Sequence, residues 1–178
     1  MGHRHDKGEI LNEALAAAVD DGLSQLTFGR LAKRLGISDR TIVYYFPSKS
    51  DLISEVLGAM GADLLGKLVT AIPDSVSDHT ELLKSAWPVL SSAEVRPTFA
   101  LFLEAMALAS IGREPYDSIV PQLVEGWIDW TAGLIDAPDD IARAEAEAGI
   151  ALVDGLMLLR EVAGDDVADR AAARFGAI

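Results

Sequence analysis

The stretch that decides the fold reads TFGRLAKRLGISDRTIVYYFPSK, from Thr27 to Lys49. Thr27 can cap a helix by accepting a backbone N–H, and the apolar residues after it recur at the helical spacing i, i+3, i+4, i+7. Gly36 follows the last of them, where glycine commonly ends a helix, and Ser38 is suited to begin another. The stretch therefore predicts two short helices joined by a tight turn, the second from Asp39 to Phe46.

The second of these helices is predicted to have two different faces. Its apolar side chains pack on the first helix, and its polar side chains face solvent. The apolar set is Ile42, Val43 and Phe46. The polar set is Arg40, Thr41 and Tyr44. A helix-turn-helix that reads DNA requires this division, because the polar side of its second helix lies in the major groove.

Several side chains of the stretch suit contacts to DNA. Arg40 can donate two hydrogen bonds to guanine, and Thr41 can contact a thymine methyl group or a phosphate. The hydroxyls of Tyr44 and Tyr45 can reach the sugar-phosphate backbone, and Lys49 adds a cation at a helix N-terminus that favours phosphate. The predicted DNA-contacting set is Thr27, Arg30, Ser38, Arg40, Thr41, Tyr44, Tyr45 and Lys49.

This part of the chain resembles the tetracycline-repressor (TetR) family of bacterial transcription regulators. The resemblance covers residues 7 to 57, and family members usually carry Leu-Tyr where this chain has Ile42-Val43, a tyrosine that often contacts a phosphate. It implies a helix-turn-helix DNA-binding domain over residues 1–50 and a helical ligand-binding and dimerisation domain over residues 51–178. The residues that carry it are Thr27-Phe28, Leu31-Ala32, Leu35-Gly36-Ile37-Ser38, Thr41-Ile42, Tyr44-Tyr45-Phe46-Pro47-Ser48-Lys49 and Leu52.

Charge is distributed unevenly along the chain. The formal net charge of −13 is unfavourable for binding a polyanion. Residues 1–50, however, contain seven Lys and Arg against six Asp and Glu, whereas residues 51–178 contain eight against 22. The N-terminal part can therefore approach DNA while the acidic remainder is repelled from it. The alternative is that the acidic surface only keeps the protein soluble.

Helical periodicity extends through the rest of the chain. One helix is predicted before the decisive stretch, over residues 7–21, and a long one after it, from 48 to about 72. Further helices are predicted over residues 80–91, 97 to about 112, 116–136, 139–162 and 165–175. The alternation of apolar and polar residues that is typical of strands does not occur. The predicted fold class is therefore all-α.

Several classes of function are disfavoured. The chain contains no cysteine, no glycine-rich phosphate loop, no Gly-x-Ser-x-Gly and no His-Glu-x-x-His, so we expect no enzyme, no cofactor and no metal site. The opening Met1–Asp6 is polar, and no run approaches the roughly 20 apolar residues of a membrane span. We therefore expect a cytoplasmic protein without a membrane contact.

Residues 51–178 contain all three tryptophans and three of the four methionines. Aromatic and thioether groups form adaptable walls for small molecules, although at helical spacing they also form ordinary core. The resemblance implies an inducing ligand held between these helices, in a mostly hydrophobic pocket. Candidate polar contacts are Glu104, Asp129 and Asp154. Candidate pocket residues are Trp87, Phe102, Met106, Trp127, Trp130 and Met157.

Small residues form a stripe along the helix predicted over residues 139–162. They allow another helix to approach closely, and in the family the last two helices pair with a second subunit. We therefore expect a two-fold homodimer, whose two helix-turn-helix domains meet the half-sites of a palindromic operator. The alternative is that the stripe faces its own domain. The stripe consists of Ala142, Ala146, Gly149, Val153, Leu156 and Met157.

The sequence thus predicts a ligand-responsive, dimeric DNA-binding regulator. We expect a repressor that a small, mostly apolar molecule releases from its operator. The alternative is a helical small-molecule sensor or carrier that has lost DNA binding.

Overall fold

The computed structural model describes residues 6–178, whose regular secondary structure consists of helices, and the first five residues of the polar opening lie outside these described residues. Between α1 and α2 lies one turn of 3₁₀ helix, Leu23–Gln25. The part of the chain described contains no strand, only one isolated bridge between Val76 and Ile135, so the all-α prediction is confirmed. The helices are α1 (Lys7–Asp21), α2 (Phe28–Leu35), α3 (Asp39–Tyr45), α4 (Lys49–Ala71), α5 (His79–Leu90), α6 (Arg96–Ser110), α7 (Tyr116–Ala132), α8 (Asp139–Ala163) and α9 (Asp165–Arg174).

The ends of the first helices follow the chemistry of their terminal residues. Asp6 and Glu9 cap α1 reciprocally: the Asp6 carboxylate accepts from Glu9 N at 2.8 Å, and the Glu9 carboxylate accepts from Asp6 N at 3.2 Å. Thr27 Oγ1 accepts from the backbone N–H of Arg30 at 3.3 Å, as predicted. Gly36 ends α2 with φ +67°, a left-handed conformation that glycine adopts without strain.

The chain divides into two compact units. One contains the residues up to Ala62 together with Leu101–Val120, and the other contains Asp63–Ala100 and Pro121–Ile178. The division by function at residue 50, which the sequence suggested, stays a prediction.

The first unit has a core of aliphatic and aromatic side chains contributed by α1 to α4. Each such side chain stabilises the fold by about 1.5–3 kcal/mol when it is fully buried. The core therefore fixes the packing of the short α2 and α3, which are too short to be stable alone. The fully buried members include Ile10, Leu23, Leu31, Ile42, Phe46, Leu52, Ile53 and Val56.

The second unit buries one face of α8, and this corrects the prediction for the stripe of small residues. Ala142, Ala146 and Met157 are buried. A Cβ atom at Gly149 would lie 3.0 Å from Leu82 Cδ2 of α5, so the glycine permits α5 and α8 to pack closely. The stripe therefore packs inside its own chain, because α5 lies so close to α8 that only small side chains fit between them.

Among the helices of residues 6–178, none combines the length with the apolar composition that a membrane span requires.

Candidate nucleic-acid interface

The helix-turn-helix is formed by α2, the turn at Gly36 and α3. The turn is closed by a hydrogen bond from Ile37 N to Ala32 O at 3.1 Å. Ser38 occupies the N-cap position of α3 as predicted, but its side chain makes no capping bond. Instead Ser38 Oγ lies 3.2 Å from Thr41 Oγ1, which links these two predicted DNA contacts to each other.

The two faces of α3 differ in exposure, with one departure from the prediction. Ile42 and Phe46 are fully buried, whereas Val43 is 42% exposed, so its assignment to the buried face is wrong. A helix of seven residues buries only a narrow face, and the pair at i and i+4 fills it. Tyr44 is 79% exposed, and its ring packs edge-to-face on Tyr45 with centroids 5.0 Å apart. Tyr44 therefore lies four residues after Arg40 on the solvent-facing side of α3, with its ring packed on the half-buried Tyr45.

The cations of the N-terminal part fall into two groups. Arg34 is held by its own chain: its Nε lies 2.6 Å from Glu13 Oε1 and its Nη2 lies 2.9 Å from Asp20 Oδ2. The hydrogen bonds to these carboxylates raise the pKa of Arg34. Lys7 is similarly paired with Glu55 at 2.5 Å. Both cations therefore stabilise the packing of the first unit and are not free for phosphate.

The second group of cations is exposed and makes no ion pair within residues 6–178. Its members are Arg30, Lys33, Arg40 and Lys49. Three of them belong to the predicted DNA-contacting set, and Lys33 is a further candidate that the prediction left out. It follows Arg30 by three residues on the solvent side of α2, and this spacing would have identified it.

The start of α4 is fixed by reciprocal hydrogen bonds. Ser48 Oγ accepts from Asp51 N at 3.1 Å, and Asp51 Oδ2 accepts from Ser48 N at 2.9 Å. The capping box confirms the prediction that Ser48 caps this helix, and it fixes the backbone of Lys49 in the first turn. Thr27, by contrast, uses its hydroxyl as the cap of α2.

The predicted pocket residues differ in burial. Trp87 and Met157 are buried, and the other four are half-buried. Trp127 and Trp130 pack edge-to-face with centroids 5.5 Å apart, both in the second unit, whereas Phe102 and Met106 belong to the first. The pocket that these six residues would line stays a prediction.

The three candidate polar contacts have different environments. Glu104 accepts hydrogen bonds from the backbone of Leu23 and Ser24, and Asp129 lies 3.2 Å from Arg143 Nη1. Asp154 of α8 is half-buried, and burial raises its pKa to about 6. It makes no hydrogen bond or ion pair to another part of residues 6–178, so of the three it is the one available to a ligand. The same residues contain no cluster of three His, Asp or Glu that could hold a metal ion.

Comparisons with known proteins agree with this architecture. Residues 10–56 match the family model "Bacterial regulatory proteins, tetR family". No curated protein is a significant match to the sequence.

Solved structures share the fold over nearly the whole chain. A TetR transcriptional regulator from Legionella pneumophila is 21% identical, with a TM-score of 0.68 over 96% of this chain and 95% of that one. A protein from Saccharomonospora viridis, described as a transcriptional regulator and solved with choline, is 20% identical, with a TM-score of 0.69 over 93% and 92%. The multidrug binding protein EbrR, solved with imidazole, is 21% identical, with a TM-score of 0.67 over 98% and 93%. These likenesses confirm the fold along both compact units.

Proposed function

We propose that this chain, a TetR-family transcriptional regulator by its helix-turn-helix sequence and its fold, is a dimeric repressor that a small molecule releases from a palindromic operator. The observation that carries the proposal is the exposed side of α3, where Arg40 and Tyr44 project from a helix whose other side is buried. A guanidinium in this position can donate to both acceptors of a guanine in the major groove. The proposed role requires neither catalysis nor a cofactor, and it locates the protein in the cytoplasm, with the DNA.

Arg40 is one of four cations in α2, α3 and the first turn of α4 that are free to contact DNA. Arg30, Lys33, Arg40 and Lys49 are exposed, and no carboxylate within residues 6–178 pairs with them. Phosphate contacts provide much of the affinity of DNA-binding proteins and fix their register on the duplex. The free cations of α2, α3 and the start of α4 therefore support a DNA-binding surface despite the acidic total charge.

Dimerisation is proposed to use the solvent face of α8. This face, which we call the α8 stripe, lies opposite to the buried stripe of small residues that contains Gly149. It runs along the helix at intervals of three and four residues and carries no charged side chain. Val162 is 73% exposed and Leu158 is 49% exposed, which is unusual for large apolar residues in a monomer. The small residues before them would let the same helix of a second copy approach closely. The α8 stripe consists of Ala144, Ala148, Ala151, Gly155, Leu158 and Val162.

A two-fold arrangement follows from the proposed target. Two copies joined through one self-complementary surface present two copies of α3 related by the same axis. Such a pair fits inverted half-sites whose centres lie about 34–36 Å apart, or a multiple of that distance.

The proposed ligand is a small, mostly apolar molecule, and the aromatic and methionine residues identified from the sequence are its candidate contacts within each unit. Asp154 offers it one carboxylate, which suits a cationic or hydrogen-bonding group. Structural neighbours of this chain were solved with choline and with imidazole, and both molecules carry such a group. Release from DNA requires that the ligand binds the DNA-incompetent conformation more tightly, since equal affinity for both would shift nothing.

Selection of DNA from a random pool by the purified protein tests the proposal. The expected product is a sequence with two inverted half-sites, bound by a dimer. If no preferred sequence is recovered and the protein also binds no DNA at low salt, the result would support the alternative, a helical sensor or carrier. The loss of the family tyrosine at Val43 is the feature that makes this rival worth testing.

A further inference from the structure

The short connection between α1 and α2 is held by two side chains that lie about 80 to 90 residues further along the chain. Glu104 of α6 accepts from Leu23 N at 2.8 Å and from Ser24 N at 2.9 Å. Tyr116, at the start of α7, donates its hydroxyl to Leu23 O at 3.0 Å. We call these four residues the Leu23 clamp, and all of them belong to the first compact unit.

The bonds of the Leu23 clamp are strong for their kind. A carboxylate that accepts two backbone N–H groups makes charge-assisted hydrogen bonds, which are about twice as strong as neutral ones. Leu23 is fully buried and Tyr116 is 2% exposed, so water does not replace the bond between them without cost, whereas the bond from Ser24 N to Glu104 is exposed to solvent. Burial raises the pKa of Tyr116 to about 12, so its hydroxyl keeps the proton that it donates.

The residue before the clamp shows how closely the carboxylate approaches the backbone. Gly22 has φ +90°, a conformation that side chains rarely adopt. A Cβ atom at this position would lie 3.1 Å from Glu104 Oε2. Glycine therefore allows both the backbone turn and the approach of Glu104.

The position of Glu104 on α6 relates the clamp to the predicted ligand residues. Successive residues of an α-helix are about 100° apart, so Phe102 and Met106 share one face and Glu104 lies about 200° from either of them. The side of α6 that would contact a ligand is therefore opposite to the side that holds the connection before α2.

We infer that α6 transmits ligand binding to the helix-turn-helix through the Leu23 clamp. This inference rests on the proposed function and names the route by which it is regulated. A ligand against Phe102 and Met106 moves α6, and Glu104 moves the connection that leads into α2. Because a hydrogen bond of 2.8 Å is lost beyond about 3.5 Å, a displacement of roughly 1 Å is enough to release or shift this connection.

The test uses Glu104→Gln, which leaves one oxygen and places an amide donor against the second N–H. The control for loss of charge is Asp78→Asn. Asp78 also accepts two backbone N–H groups, from Thr80 and Glu81 at 2.9 Å, but it lies in the second unit and accepts both on Oδ1, an oxygen that asparagine keeps. Met106→Trp stands in for a ligand by adding bulk to the opposite face of α6. If Met106→Trp does not fold, Met106→Phe is used in its place.

Two readouts are measured for the single variants and for the Glu104→Gln, Met106→Trp double variant. The first is affinity for the selected DNA. The second is hydrogen exchange at the amides of Leu23 and Ser24, which needs no DNA. Thermal unfolding measures the melting temperature of each variant, because the removal of a purely structural cap would lower the stability of the protein in general.

We expect Met106→Trp and Glu104→Gln each to weaken DNA binding by about fivefold or more, with faster exchange at Leu23 and Ser24. In the double variant, Met106→Trp should add less than about twofold, because the two changes act through one connection. Asp78→Asn should leave DNA affinity within about twofold of the native chain.

The inference is overturned if the effects of Met106→Trp and Glu104→Gln multiply independently, or if Glu104→Gln behaves like Asp78→Asn. A native chain that binds no DNA would contradict the proposed function instead. In that case exchange at Leu23 and Ser24 still decides the inference, which fails if Met106→Trp leaves their protection unchanged.

Discussion

Arg34 and Arg40 are both exposed arginines of the helix-turn-helix, yet their surroundings assign them different roles. Arg34 is surrounded by the carboxylates of Glu13 and Asp20, whereas Arg40 has no anionic partner within residues 6–178. A guanidinium that is already paired gains little from a phosphate, since the existing pair must first be broken. Residue type alone therefore does not identify a DNA contact.

Arg40→Ala should weaken binding to the selected DNA by about 1–3 kcal/mol and relax the preference at one base pair. The cause is the loss of two donors to one guanine. Competition binding with single-base variants of the operator measures both effects. Arg34→Ala is the control, and it should lower the melting temperature while the base preference stays unchanged. Equal base preference in Arg40→Ala and the native chain would remove Arg40 from the residues that read sequence.

Asp154 provides a second prediction at the level of one residue, about stability. Burial raises its pKa from 3.8 to about 6, so the folded chain holds this proton more tightly than the unfolded chain. The free energy of unfolding that it contributes is complete below about pH 4 and is lost as the pH rises through 6. Asp154→Asn removes the charge, and it should therefore stabilise the protein at pH 7.5 by about 2–3 kcal/mol.

Urea unfolding of the native chain and Asp154→Asn at pH 4 and at pH 7.5 measures this difference. The gain should disappear at pH 4. A gain of the same size at both pH values would show that the carboxylate is not the cause.

The helices themselves illustrate which properties a sequence can predict. Caps and glycines predicted both ends of α1 and α2 and the start of α4 within one residue, because these signals are local hydrogen-bonding and backbone effects. The face that each helix buries was harder to predict. Val43 was assigned to the buried side of α3 and is exposed, since the apolar run there is wider than the contact with α2.

α8 is the clearest case, because it is apolar on two opposite sides. One side, with Ala142, Ala146 and Gly149, packs inside the chain, while the α8 stripe on the other side remains exposed. Periodicity marks both sides equally and does not tell which partner each one has. The packing of α5 against Gly149 shows which of the two sides faces the interior of the chain.

Gly155→Glu should convert the proposed dimer to a monomer, because it places a charge in the middle of the α8 stripe. Sedimentation or light scattering measures the change in mass. Gly66→Glu in α4 is the matched control, since both are helical glycines with no atom within 4 Å of an added Cβ. A Gly155→Glu protein that stays dimeric at micromolar concentration would exclude the α8 stripe as the dimer interface.

For the whole molecule, the relevant property is the uneven distribution of charge between the helix-turn-helix and the remainder of the chain. Four exposed cations of residues 27–49 make no ion pair within residues 6–178, and they lie in α2, α3 and the first turn of α4, whereas residues 51–178 carry eight Lys and Arg against 22 Asp and Glu. The fold and the match to the family model were predictable because the helix-turn-helix signals are dense within 23 residues, and the family model matches the same part. The ligand pocket was not, since aromatic residues at helical spacing form both core and cavity walls.

The most direct test of the central claim is a titration of the selected palindromic DNA with the protein at about 50 and 200 mM salt. Besides Arg40, which is proposed to contact a guanine, each chain has three free cations, so a dimer offers up to about six phosphate contacts and the affinity should fall by roughly 10³ between these conditions. Binding that does not depend on salt, or no binding at 50 mM, would contradict the account of α3 as a DNA-reading helix carried by a symmetric dimer.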